Sequence, residues 1–148
     1  MLTGARLLIV AAESERGTVQ PLLDSLPDAR LIDRVGARDL LDLYALLGRC
    51  ALFIGNDSGL MHMAAASGAP TLGLFGPSPH WRYGPWGSRA AFVRTAESFE
   101  RLVSKNPAFD HRRNETLMTG LSVDAVVEAA EGLLARLAPV SAGSAAAR

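Results

Sequence analysis

The chain has 148 residues, 49% of them hydrophobic, and its 15 basic and 15 acidic side chains cancel to a formal charge of zero. That length supports one buried core and is short for two ordinary domains. Neutrality removes the long-range field that would gather nucleic acid or anionic lipid, so nucleic acid is not an expected partner. Cys50 is the only cysteine and precedes an apolar run, which predicts a buried, inert thiol in a reducing compartment. No apolar stretch approaches the roughly 20 residues that cross a bilayer, and the segment 1–10 is too brief for a secretory signal. A soluble protein is expected.

Residues 7–11 are an aliphatic run that reads as a strand. Val19, Leu22, Leu23 and Leu26 then fall at helical spacing despite Pro21. Residues 29–32 read as a second strand. Asp39 is placed to cap a helix with Leu40, Leu43, Leu46 and Leu47 on one side, ending near Gly48. A third strand is expected over 51–54, a polar turn over 56–58, a short helix over 60–67 and a fourth strand over 71–75. This alternation predicts an α/β fold whose parallel sheet is covered by helices.

Residues 76–88 hold three prolines, three glycines, two tryptophans and a tyrosine. They read as a structured surface loop acting as a hydrophobic plug over the sheet or against a partner domain, with a sugar or base pocket as the alternative. Residues 90–94 suggest a further strand and 97–104 a helix. Ser122 caps a closing helix in which Val123, Val126, Val127, Ala130, Leu133, Leu134 and Leu137 recur at three and four residues until Pro139 stops it. One domain is expected over 1–138, with 139–148 a disordered tail.

The segment 54–62, Ile-Gly-Asn-Asp-Ser-Gly-Leu-Met-His, puts small polar residues and two glycines where a buried strand becomes a helix. Backbone N–H groups there lack partners and face outward with the positive end of the helix dipole, which suits an anion. A phosphate would sit at Ser58, Gly59 and Leu60, with Gly59 allowing close approach and Ser58 adding a hydroxyl. Asp57 can cap the helix or accept from sugar hydroxyls, and His62 in the opening turn can donate to a diphosphate. The competing reading is that Asp57 and Ser58 only cap; Met61 and Met63 read as core filling. Residues 73–79 bring a second strand end to the same carboxyl edge of the sheet. The sequence carries no phosphate-loop lysine motif, no zinc-spaced histidine pair, no Gly-x-Ser-x-Gly elbow and no dinucleotide glycine fingerprint after its first strand.

The ordered run 56–71, Asn-Asp-Ser-Gly-Leu-Met-His-Met-Ala-Ala-Ala-Ser-Gly-Ala-Pro-Thr, continuing through Leu74-Phe75-Gly76-Pro77, resembles the signature of glycosyltransferase family 9. Glu15-Arg16 after the first strand, the helix over 38–48 and the segment 118–126 agree with it. The resemblance implies a Rossmann-like parallel sheet with helices on both faces, similar to the carboxy-terminal half of a two-domain GT-B glycosyltransferase. It implies binding of a nucleotide-sugar donor, ADP-heptose in the lipopolysaccharide heptosyltransferases, with no metal and no further cofactor.

By position, the resemblance gives Asp57 to the donor sugar, Ser58, Gly59 and Leu60 to the diphosphate, His62 to its flank and Glu15 to the ribose. It assigns no catalytic residue to this chain, because the family's general base belongs to an amino-terminal domain. The family's first strand, with its Gly- and Lys-bearing loop, would precede Leu7, and residues 95–120 lack the cysteines many members carry. A donor-binding half is therefore expected, inactive alone, meeting its glycan acceptor only with an amino-terminal domain. Homodimerisation through the sheet edge exposed by a missing strand is also expected. The resemblance implies a cytoplasmic place, peripheral to the inner membrane. The rival readings are half of a nucleotide-sugar epimerase and a noncatalytic interaction module on the same fold.

Overall fold

The computed structural model describes residues 4–76, 78–105 and 117–139, with only the backbone of Leu102. The expected tail over 140–148 lies outside these residues. The chain divides into two compact units, Met1–Leu43 and Tyr44–Arg148.

In the first unit, β1 (Leu7–Ile9) pairs in parallel with β2 (Leu31–Asp33), Leu7 opposite Leu31 and Ile9 opposite Asp33. The strand is shorter than the aliphatic run, although Ala11 still accepts a bond from the Gly36 N–H at 2.9 Å. A 3-10 turn, Glu13–Glu15, leads into α1 (Arg16–Asp24), which runs through Pro21. The helical spacing was expected to reach Leu26, but Ser25 ends the helix first. Its N–H and its hydroxyl both turn back onto the Leu22 carbonyl. The second strand also starts later than expected. Residues 28–30 form a 3-10 turn closed by the Arg30 N–H on the Pro27 carbonyl at 2.8 Å, which holds them out of the ladder.

Asp39 caps α2 (Leu40–Leu47) as its position suggests: Oδ1 accepts from the N–H groups of Leu41 and Asp42 at 2.9 and 3.1 Å. Leu43 and Leu47 are buried one turn apart, whereas Leu40 is 61% exposed and leaves the expected apolar side.

The second unit is built on a three-stranded parallel sheet in the order β3 (Phe53–Asn56), β4 (Thr71–Phe75), β5 (Ala90–Arg94), with β4 central. The third strand starts two residues later than expected because 48–50 are still closing the end of α2, Cys50 donating to the Leu47 carbonyl. Side chains alternate across β4 and sort the helices onto two faces. Leu72 and Leu74, with Ala91 and Val93 of β5, meet Val126, Ala130, Leu133 and Leu137 of α5 (Val123–Leu137). On the other face lie Gly73 and Phe75. A Cβ built on Gly73 would stand 2.6 Å from the sulfur of Met61 in α3 (Gly59–Ala66), so this glycine lets α3 lie close on the strand. Met61, Leu72 and Phe75 are fully buried, each contributing about 1.5–3 kcal/mol of apolar burial. Met63 is only half-buried, so the core role expected of both methionines falls to Met61.

The connection from β4 to β5 crosses the α3 face. It contains the one-turn α4 (His80–Tyr83); Pro85 approaches Gly73, and the His80 ring lies 4.5 Å from that of Phe92. Pro85 and His80 therefore cover the sheet. The tryptophans do not: Trp81 is 75% and Trp86 90% exposed, so within the loop read as a plug over the sheet these two rings are not part of the cover. Past β5, the helix expected over 97–104 is shorter, a π helix over Glu100–Ser104. The closing helix begins where expected, Ser122 Oγ accepting from the Ala125 N–H. Val123 is 77% exposed, so the buried stripe of α5 starts at Val126.

Candidate functional site

The site begins where β3 ends. The Asp57 N–H donates to the Leu74 carbonyl at 3.3 Å, carrying the β3–β4 ladder one residue past the strand and fixing Asp57 at the carboxyl edge. Ser58 is extended, with φ −158° and ψ 167°, and is the N-cap of α3; its hydroxyl accepts from the Met61 N–H at a long 3.5 Å. Its carbonyl receives the His62 N–H at 3.3 Å. Gly59 and Leu60, the first two residues of the helix, have no intrahelical acceptor for their N–H groups, so these donors open outward at the positive end of the helix dipole.

Gly59 has ordinary negative φ, and a Cβ built on it would meet nothing within 4 Å. Its value here is open approach to the main chain rather than an unusual backbone conformation. The capping question separates the two polar residues: Ser58 caps, and Asp57 does not. Among the described residues the Asp57 carboxylate accepts no hydrogen bond, and His62 Nε2 lies 3.9 Å from its Oδ1. The Asp57 side chain is 22% exposed and that of His62 48%, so both groups reach solvent beside the open N–H donors. A turn of this kind can hold a dianionic oxygen cluster on N–H groups, with one carboxylate left to accept from hydroxyls.

Beyond β4, the carboxyl edge is closed. A Cβ at Gly76 would lie 2.7 Å from the Met118 sulfur and 3.0 Å from the Leu117 carbonyl oxygen, and one at Gly120 would lie 2.9 Å from Glu97 Oε2. The segment 117–120 therefore fills the edge over β4 and β5. The second strand end expected to line the site is covered, and the opening lies over β3. Nothing in the local sequence signals this closure, because residues 117–120 follow β5 by more than twenty positions. A shallow groove of about 160 Å³ lies at the other end of α3, between Ala65 and Gly68 on one side and Trp86 and Arg89 on the other. Its wall is one exposed indole and a surface arginine, and the chemistry at Ser58 does not reach it.

Glu15 lies in the first unit, where its Oε2 accepts from the Ala12 N–H at 2.9 Å. Next to it, Arg16 bonds Glu13, Asp33 and the Val35 carbonyl. The Val35 N–H and then the Arg16 guanidinium hold the Asp33 carboxyl below its usual range. The structure thus brings Asp57, Ser58, Gly59, Leu60 and His62 together at one turn and places Glu15 in the other unit. No described helix is long and apolar enough to cross a membrane.

The family model of glycosyltransferase family 9 (heptosyltransferase) matches residues 4–111, most of the chain. The chain belongs to this family. Among its relatives, lipopolysaccharide heptosyltransferase 3 of Escherichia coli is 31% identical over 98 residues, 66% of this chain and 27% of that protein. Lipooligosaccharide heptosyltransferase 2 of Campylobacter jejuni is 33% identical over 86 residues, 57% of this chain and 26% of that protein. The chain thus spans about a quarter of the length of these curated relatives. The crystal structure of a family 9 glycosyl transferase from Veillonella parvula superposes with a TM-score of 0.73 at 29% identity, over 90% of this chain and 37% of that one. The E. coli ADP-heptose heptosyltransferase II superposes with a TM-score of 0.68 over 89% of this chain and 37% of that one; at 21% identity this speaks for the fold alone. Family 9 membership bears out the α/β, GT-B-like fold read from the sequence.

Proposed function

We propose that this family 9 chain binds the nucleoside diphosphate sugar, ADP-heptose, at the start of α3. In this reading it is the donor-binding part of a heptosyltransferase acting on lipopolysaccharide core or a related glycan. The observation that carries the reading is the β3–α3 turn, where Ser58 takes the cap and leaves Asp57 without a hydrogen bond beside the open N–H groups of Gly59 and Leu60. The names of the relatives favour sugar transfer over epimerisation and over a purely structural module.

In the reaction proposed, the N–H groups of Gly59 and Leu60 and the Ser58 hydroxyl receive the diphosphate. They stabilise the charge that grows on it as the glycosidic bond to phosphate breaks, a task that oriented donors perform without a metal. Asp57 accepts from donor-sugar hydroxyls, His62 flanks the diphosphate, and Glu15 serves the ribose. The general base and acceptor subsite are assigned outside this chain. Positioning of acceptor and base contributes much of the rate in such a reaction, so the chain alone is expected to bind donor with negligible turnover. Homodimerisation through the edge of the sheet belongs to the same reading, and a monomer in light scattering would remove that element.

Calorimetric titration with ADP, ADP-heptose and UDP tests the proposal. ADP-heptose is expected to bind, and Ser58→Ala and Asp57→Ala to weaken it. Absence of binding to all three nucleotides by a folded chain would overturn the donor reading and favour the interaction module.

A further inference from the structure

Glu13, Glu15 and Arg16 crowd three charges into the turn that follows β1, and Asp33 adds a fourth at the end of β2, its neighbour in the sheet. None of the residues 13–15 is buried, so no apolar side chain fastens this turn, and its place depends on polar bonds.

Arg16 supplies most of them. Its Nε donates to Glu13 Oε1 at 2.9 Å, one terminal nitrogen to Asp33 Oδ2 at 2.9 Å and the other to the Val35 carbonyl at 3.2 Å. One guanidinium thereby ties the turn after β1 to the turn after β2. The second turn is itself fixed: Asp33 Oδ1 accepts from the Val35 N–H at 2.8 Å, the Gly36 N–H donates to the Ala11 carbonyl at 2.9 Å, and Val35 is 8% exposed. Gly36 has φ 76°, and the Glu13 carboxylate lies where a Cβ on it would stand, so the two turns meet closely. With its charge facing two carboxylates and its donors engaged, Arg16 is not free to hold a diphosphate.

The acidic group left over is Glu15. Its Oε2 accepts from the Ala12 N–H at 2.9 Å, its own N–H returns to the Ala12 carbonyl at 2.9 Å, and among the described residues no donor reaches Oε1. Glu15 immediately precedes the first residue of α1, which is Arg16, so its backbone is gripped between Ala12 and the guanidinium clamp. An ionised carboxylate only accepts, the role that sugar hydroxyls require of it. The donor reading gives this carboxylate to the ribose; the clamp is what holds it in place.

We infer that Arg16 is a positioning residue which, clamped to Asp33 and Val35, aims the Glu15 carboxylate at the paired hydroxyls of the nucleoside ribose. The inference rests on the donor reading and adds to it the residue on which recognition of the ribose depends. Lysine would carry the same charge but cannot join three acceptors on two turns, because the guanidinium alone presents its donors as a fixed fork.

Calorimetric titration of the full chain with ADP and with dideoxy-ADP, whose ribose lacks both hydroxyls, tests this. The parent is expected to prefer ADP about tenfold or more, the worth of hydrogen bonds to a charged acceptor. Glu15→Ala, Arg16→Gln and Arg16→Lys are each expected to bring the two affinities near parity by weakening ADP and leaving dideoxy-ADP unchanged, with circular dichroism as the check on folding. Arg16 variants that weaken both nucleotides equally would mark a merely structural clamp and overturn the inference. If ADP binds but the parent shows no preference, or if the preference survives in either Arg16 variant, the inference alone falls. If the parent binds neither nucleotide, the donor reading falls with it.

Discussion

Asp57 and His62 face each other across the opening turn of α3, with Asp57 Oδ1 3.9 Å from His62 Nε2, and the Asp57 carboxylate takes no part in the helix cap. Its contribution to folding is therefore confined to a long contact with the imidazole and to the helix dipole. Asp57→Asn should change stability by less than about 1 kcal/mol. Donor affinity should fall about tenfold or more, the cost of losing a charged acceptor for sugar hydroxyls. Ser58→Ala should weaken donor binding too, and should add a stability loss of about 1 kcal/mol from the lost cap. Thermal unfolding and calorimetry on the same two variants separate these effects.

Gly59, which opens α3, and Gly73, in β4 against the same helix, should behave oppositely. Gly73→Ala places a methyl against Met61 and Phe75 and should destabilise by about 1–3 kcal/mol, as overpacking of a filled core does. Gly59→Ala enters open space within a helix and should stabilise by a few tenths to about 1 kcal/mol. If a diphosphate rests on the main chain there, the same methyl should lower nucleotide affinity. A more stable Gly59→Ala variant that binds nucleotide as tightly as the parent would place the ligand elsewhere.

Acid sensitivity should arise in the first unit. The carboxyl of Asp33 is held below its usual range by the Val35 N–H at 2.8 Å and by the Arg16 guanidinium at 2.9 Å. A carboxyl lowered in the folded state stabilises fully above its unfolded pKa, and that contribution is lost as the pH falls through the folded value. The loss should thus begin near the ordinary carboxylate range, about pH 4, and deepen below it. Arg16, raised from an already high value, adds no pH dependence in this window. Urea unfolding followed by circular dichroism between neutral and acid pH should show a shallower acid limb for Asp33→Asn.

Cys50 is half-buried rather than buried as expected; its partial desolvation still pushes the thiol above its usual pKa, and Sγ lies 3.5 Å from the Leu46 carbonyl at the end of α2. Reaction with a thiol-exchange reagent near neutral pH should be slow in the native chain and accelerate in denaturant, because the thiolate is the reactive form. Equal rates in the two states would contradict a protected thiol.

The sequence makes some elements plain and hides others for physical reasons. β4, β5 and α5 occupy the expected residues because Pro70, Pro139 and the Ser122 cap punctuate apolar runs whose period is unambiguous. The start of α3 was legible for the same reason: a small polar turn between a strand and a helix admits few backbone paths. The ends of β1 and β2 are not legible, because aliphatic content alone does not say where a ladder stops or where a 3-10 turn intervenes. The outward indoles of Trp81 and Trp86 and the closure of Gly76 by Met118 depend on contacts between distant segments, for which local sequence carries no signal. Glu15 is tied to the donor reading only by its position in the family pattern; the chemistry of its own turn, where it accepts from the Ala12 N–H, carries no such signal.

The most direct measurement is amide-resolved NMR of the labelled chain during titration with ADP. Donor binding at the start of α3 predicts saturable shifts centred on the N–H groups of Gly59 and Leu60, reduced in Asp57→Asn. A saturable response centred instead on the Trp86–Arg89 groove, or none in a folded chain, would contradict it.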